Sequence, residues 1–177
     1  MGFKKAGYIT LGAGALKAGQ GYLLDASNAL REDSLPSKCA FGASEILKYG
    51  AAGTAGYALS EVMEGGERLL KIPKAIRGLL PTAAFTLGAG ALIHYSGNTF
   101  GLPESEGILQ STMNVLDTYK GELSKMLTWD PQANPVWLTG AFATATSALK
   151  FGKNLLKSIT TREERVRQNE NLEAKIA

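Results

Sequence analysis

Between Arg77 and Glu104 the chain runs for 26 residues, Gly78 to Pro103, without an aspartate, glutamate, lysine or arginine. His94 is the one side chain in that run that titrates near neutrality. Roughly 20 predominantly apolar residues in a helix cross the hydrocarbon core of a bilayer. The run therefore predicts a membrane helix over residues 79–96, with Leu79 to Tyr95 as its apolar body.

Three further stretches are poor in charge. Ala6 to Leu24 carries Lys17, Ala40 to Met63 carries Glu45, Lys48 and Glu61, and Val136 to Leu149 ends after 14 residues at Lys150. They predict helices over 6–24, 40–62 and 136–152, each of which fits a core or interfacial helix as well as a crossing one. Residues 105–128, with Ile108, Met113, Val115, Leu116, Leu123 and Met126, read as an amphipathic segment closed by Pro131 and Pro135. The fold class expected is all-α: a Gly/Ala-rich helical membrane protein with two to four hydrophobic helices and a polar C-terminal helix. The division expected is a membrane-embedded region over 1–157 and a polar tail over 158–177. In that tail Thr161 and Glu164 have the spacing of a capping box, and Glu163 and Arg167 that of an i,i+4 pair. The competing reading is a soluble, Ala-rich bundle, which the mean hydropathy of −0.04 fits.

Charge placement offers a separate test, because short cytoplasmic loops of membrane proteins hold an excess of Lys and Arg. If all four stretches cross, one side holds Lys4, Lys5, the four cations from Arg68 to Arg77, and the seven from Lys150 to Lys175. The other side holds only Arg31, Lys38, Lys120 and Lys125. The bias places both termini in the cytoplasm. The basic start followed by an apolar run superficially resembles a signal peptide, but Lys17 and Gln20 interrupt the run, and the N-terminus is expected to be retained.

Composition narrows the chemistry. With one cysteine, Cys39, and one histidine, His94, neither an intrachain disulfide nor a Cys/His zinc site can be built. His94 has no carboxylate near it in sequence and reads as structural or interfacial; Cys39 lacks a nucleophile context. Gly12 and Gly14 begin a dinucleotide-like pattern, but Lys17 stands where its third glycine belongs. A formal charge of +3 does not make the dense cationic surface of a nucleic-acid binder, so sequence-specific nucleic-acid binding is not expected. No catalytic, metal or organic-cofactor site is expected.

What remains is small residues and charges. Alanine and glycine fill 45 of 177 positions, and the heptapeptide Thr10 to Leu16 recurs identically as Thr86 to Leu92. Small residues four apart let helices approach closely in lipid. Such pairs occur at Ala15 and Gly19, Ala52 and Gly56, Ala84 and Gly88, and Ala141 and Ala145. The expected packing positions are Gly12, Gly14, Gly53, Gly56, Gly88, Gly90, Ala141 and Ala145. Glu45 and Lys48 are spaced to pair on one helical face, and Glu45, Lys48 and Glu61 read either as lumen-facing charges or as marks of a helix confined to Tyr49–Ser60. Arg68, Lys71, Lys74 and Arg77 follow at every third position, with Pro73 preventing one regular helix from carrying all four. They are candidates for contact with anionic lipid headgroups or a lumen.

Tyr49 to Gly101 combines a small-residue helix, a basic turn with Ile72-Pro73, a second helix ending Gly88-Ala-Gly-Ala-Leu92, and Gly97-Asn-Thr-Phe-Gly101. This order resembles the small inner-membrane, pilin-like proteins of Icm/Dot type IVB secretion and the TraQ and TraR proteins of IncI-type conjugation. The matching positions are Gly53, Gly56, Lys71, Pro73, Lys74, Gly90, Ala91, Leu92, Thr99 and Gly101. The resemblance covers about 55 residues and implies a non-catalytic subunit of a bacterial envelope machine. Such a subunit would pack with copies of itself or with other secretion-system subunits, and could carry bound phospholipid at the basic loop. Two other classes fit the same helices: a phage- or toxin-like permeabilising protein, and an accessory subunit of a respiratory or translocase complex.

Overall fold

The computed structural model describes residues 2–30, 33–96 and 107–176. Thr99 and Gly101 lie outside the described residues. Every regular element among those described is helical.

Helix α1 (Gly2–Ala29) lies antiparallel along α2 (Leu35–Leu69). At 35 residues, α2 is about 52 Å long. Its start is set by Ser34, whose hydroxyl accepts from the Ser37 amide, with a proline in the first turn. Its end is a Schellman turn: Lys71 takes φ 56°, the Ile72 amide bonds the Glu67 carbonyl, and the Lys71 amide bonds that of Arg68. Pro73 then forbids continuation. Helix α2 thus extends beyond the expected 40–62 at both ends, and Glu64 and Glu67 sit within it rather than past its end.

A short 3-10 turn (Lys74–Ile76) leads to Gly78 at φ 95°, after which α3 (Leu79–Ala83), a π-helical segment (Ala84–Gly88) and α4 (Ala89–Ser96) follow without a gap. Gly78 has to be glycine on two grounds. Its φ is left-handed, and a Cβ there would lie 2.7 Å from the Ser147 carbonyl oxygen. The wider π turn shifts the hydrogen-bond ladder, and the Phe85 carbonyl accepts from the Tyr119 hydroxyl at 2.9 Å.

Helix α5 (Ile108–Leu127) also closes on a Schellman turn, with Trp129 at φ 58°. Asn134 caps α6 (Pro135–Ile176) through its side-chain oxygen, and Pro135 occupies the first turn. Helix α6 runs 42 residues without a break. The helix runs through the expected 157/158 division, and it corrects the expected cap at Thr161, whose hydroxyl bonds the Lys157 carbonyl inside the helix.

Small side chains fill most of the interior, and many large apolar ones lie outside it. Most of the buried apolar positions are alanines, among them Ala6, Ala52, Ala58, Ala141 and Ala143. Leu138, Val115, Ile93, Tyr49 and Tyr119 are the larger members. Meanwhile Leu11, Tyr22, Leu92, Tyr95 and Leu149 stand 63–80% exposed. The chain exposes 11627 Å², against roughly 8,300 Å² expected for a compact monomer of its mass.

Among the described residues one helical segment, Lys74–Ser96, is long and apolar enough to cross a membrane. The expectation of up to four such helices reduces on this criterion to one, because glycine, hydroxyl-bearing and other polar residues together with a few charges leave the others less apolar.

Candidate functional site

The charged residues on α2 enter the protein at two levels, separated by the 12 uncharged residues Tyr49 to Ser60. That separation is about 18–20 Å along the helix axis.

At the first level Glu45 and Lys48 are both buried and form an ion pair. Lys48 Nζ also donates to the Pro131 carbonyl at 3.0 Å, and the Tyr49 hydroxyl donates to that of Asp130 at 2.9 Å. Trp129 meets the Tyr49 ring edge-on. These side chains therefore clamp α2 to the α5–α6 turn and face protein rather than a lumen within one chain. Glu122 completes the same end, accepting from Lys125 at 2.8 Å and from the Asn134 amide at 2.5 Å.

At the second level Glu61 is the hub. Its Oε1 lies 2.8 Å from Lys150 Nζ on α6 and 3.6 Å from Lys5 Nζ on α1. Lys5 donates to the Tyr57 hydroxyl at 2.6 Å, and both lysines sit about 5 Å from the Tyr57 ring centre. Glu64 takes the other contacts, 3.1 Å from Lys150 and 2.6 Å from Arg68. Next to Glu61 on α2 and about one turn before Lys150 on α6, the Ser60 and Ser147 hydroxyls bond each other at 3.0 Å, fully buried. Three helices are thus pinned at one height by two carboxylates and three cations. One turn further, Glu67 is 1% exposed and accepts from the Gly78 amide through Oε2, while its Oε1 has no hydrogen-bond partner.

Between the two levels helices meet backbone to backbone. A Cβ on Gly56 would lie 2.6 Å from the Thr139 carbonyl oxygen and 2.8 Å from the Ala143 amide nitrogen. One on Gly90 would lie 2.8 Å from Thr112 Cα, and one on Gly140 would meet the Tyr119 ring. Gly53 faces the Phe142 ring at ordinary contact distance, and Ala141 is buried in the cluster with Ile93, Val115 and Tyr119. Gly12, Gly14 and Gly88 have open space where a side chain would be, and Ala145 is exposed, so these four expected packing positions make no such approach within one chain.

The basic loop divides. Arg68 is held by Glu64, and Arg77 donates through Nε to the Ile72 carbonyl at 2.9 Å. Lys71 is exposed at the left-handed turn position, and Lys74 lines a cleft against α6. Pairing of Glu61 with Lys150, 89 residues apart, was invisible to local spacing. His94 is half-buried edge-on to Tyr95, Cys39 is exposed, and among the described residues no three His, Cys, Asp or Glu side chains gather as a metal site.

No family model matches this chain, and neither a curated protein nor a solved structure is significantly similar to it.

Proposed function

We propose that this chain is a membrane-embedded, non-catalytic structural subunit that assembles with copies of itself or with other subunits into the wall of a conduit or pilus-like polymer. A bacterial type IV secretion or conjugation apparatus is the setting to which its sequence resemblance points. The observation that carries the reading is the packing: most described leucines and Tyr8, Tyr22 and Tyr95 are exposed, while alanine, serine and paired carboxylates fill much of the interior. Water gives no reason for that arrangement, whereas lipid or neighbouring subunits do.

In this reading the helix through Leu79–Ser96, about 27 Å long by its 18 residues, crosses the bilayer. The uncharged part of α2 is too short to span about 30 Å alone, so Glu45 and Glu61 enter the apolar layer already paired with lysines. Lys5, Arg68, Arg77 and Lys150 gather toward one end of the bundle, as the positive-inside rule asks of a cytoplasmic face carrying both termini.

The test is to express the full chain in bacteria, wash membranes with alkaline carbonate and high salt, and cross-link what remains. Retention in the pellet with a ladder of multimers is the expected result. Release into the soluble fraction would overturn the membrane reading, and a retained, strictly monomeric chain would overturn the assembly.

A further inference from the structure

The distal part of α6 and the 3-10 turn after α2 border an open cleft of about 380 Å³ whose lining includes Lys74, Asn154, Lys157, Thr161, Arg162 and Arg165. That volume lies within the range of ligand clefts, about 300–1,000 Å³. Four of these six side chains are cations, and no carboxylate lines the space. Among the described residues none of the four forms an ion pair, in contrast to Lys150 one turn before the cleft.

The convergence is built rather than incidental. Asn154, Ser158, Thr161 and Arg165 recur at the 3–4 residue spacing that places them on one face of α6. Asn154 Nδ2 ties that face to the basic turn by donating to the Arg77 carbonyl at 3.3 Å. Glu163 sits two residues before Arg165, about 200° around the helix, and so points away; Glu164 lies on the Lys157 side of the helix, outside the cleft lining and in no ion pair with the four cations among the described residues. Four like charges brought together repel one another unless a counter-charge joins them. Ser158 and the second amide hydrogen of Asn154 add neutral donors beside the cations, the mixture that recognises phosphate oxygens.

We infer that this cleft binds a phosphate-bearing group, with Lys74, Lys157, Arg162 and Arg165 supplying the charge and Asn154 and Ser158 the directional hydrogen bonds. The inference stands apart from the conduit reading, since it needs neither assembly nor a crossing. A lipid headgroup and a soluble phosphate ester offer the same chemistry. The cleft opens beside the start of the apolar Lys74–Ser96 segment, where a headgroup would lie if that segment enters lipid.

The test uses the full chain in a non-ionic detergent, titrated separately with inorganic phosphate and with phosphatidylglycerol mixed into the micelles. Wild type is compared with the double variant Lys74→Gln/Arg165→Gln and with the charge-matched control Lys4→Gln/Arg167→Gln, whose residues lie outside the cleft. The cleft variant is expected to lose at least tenfold in affinity and the control no more than twofold. The probe that binds at lower concentration identifies the source, lipid or soluble. Binding of neither probe, or equal weakening by both variants, overturns the site.

Discussion

Helix α6 carries the same kinds of side chain in two settings. Up to Lys150 it lies against α2 with backbones nearly touching at Gly56, hydroxyls paired at Ser60 and Ser147, and Lys150 shared by two carboxylates. From Asn154 onward its cations face open space and the turn that carries Lys74. Nothing in a lysine's own sequence neighbourhood separates Lys150 from Lys157. What separates them is whether another helix brings a counter-charge to the same height. The first half is therefore a structural seam, in which charge is neutralised inside the protein, and the second a surface whose charge awaits neutralisation from outside.

The seam breaks most severely at Gly56. A leucine there would place four carbons where even the first would lie 2.6 Å from a backbone oxygen. Helices α2 and α6 would have to separate, carrying off the Ser60–Ser147 bond and the Lys150 pairing. The expected loss is at or above about 3 kcal/mol, the top of the usual overpacking range, read as a collapse of thermal stability in detergent. Gly12→Leu, on a face with nothing within 4 Å, is expected to gain up to about 1 kcal/mol of helix propensity instead. Equal losses at both positions would show that the outer face of α1 is packed as tightly as the seam.

Charge distinguishes the halves by a smaller margin. Glu61 is 8% exposed, and Glu61→Gln would leave Lys150 half-compensated in the seam, at an expected cost of about 1–3 kcal/mol. Arg165→Gln, on the open half, is expected to change stability by less than about 0.5 kcal/mol. A comparable loss from Arg165→Gln would mean that the distal half is packed in the folded protein after all.

The sequence disclosed these halves unevenly. The all-helical class followed from long Gly/Ala/Leu stretches without strand alternation, and the Glu45–Lys48 contact followed from local spacing. The apolar run after Arg77 located the one segment long and apolar enough for a membrane. Orientation was not legible. In α1 small and apolar residues surround the helix on all sides, so no stripe marks its inner face, and Gly12 and Gly14 could not be told from Gly56. The continuity of α6 was hidden because Thr161 with Glu164 imitates a helix start, while Leu155, Leu156 and Ile159 carry the helix through regardless. The π turn and the Tyr119 hydroxyl that satisfies it depend on a partner 34 residues away.

Glu64 stands at the border of the two regions, bonded to Lys150 in the seam and to Arg68 at the entry to the basic turn. Burial alone would raise its pKa, but the hydrogen bonds and charges of Arg68 and Lys150 outweigh burial and hold the carboxyl below its ordinary value of 4.5. A carboxyl depressed on folding contributes stability that is present above its unfolded pKa and is lost as pH falls through the folded one. Arg68 is half exposed, so the contribution is screened and is expected to stay below about 1 kcal/mol. Melting of wild type and Glu64→Gln, compared across pH, should show a gap that is constant from neutrality down to about pH 5.5 and closes below 4.5. A gap that persists at pH 3 would assign the contribution to shape rather than charge, and Glu64 would then belong wholly to the packed half.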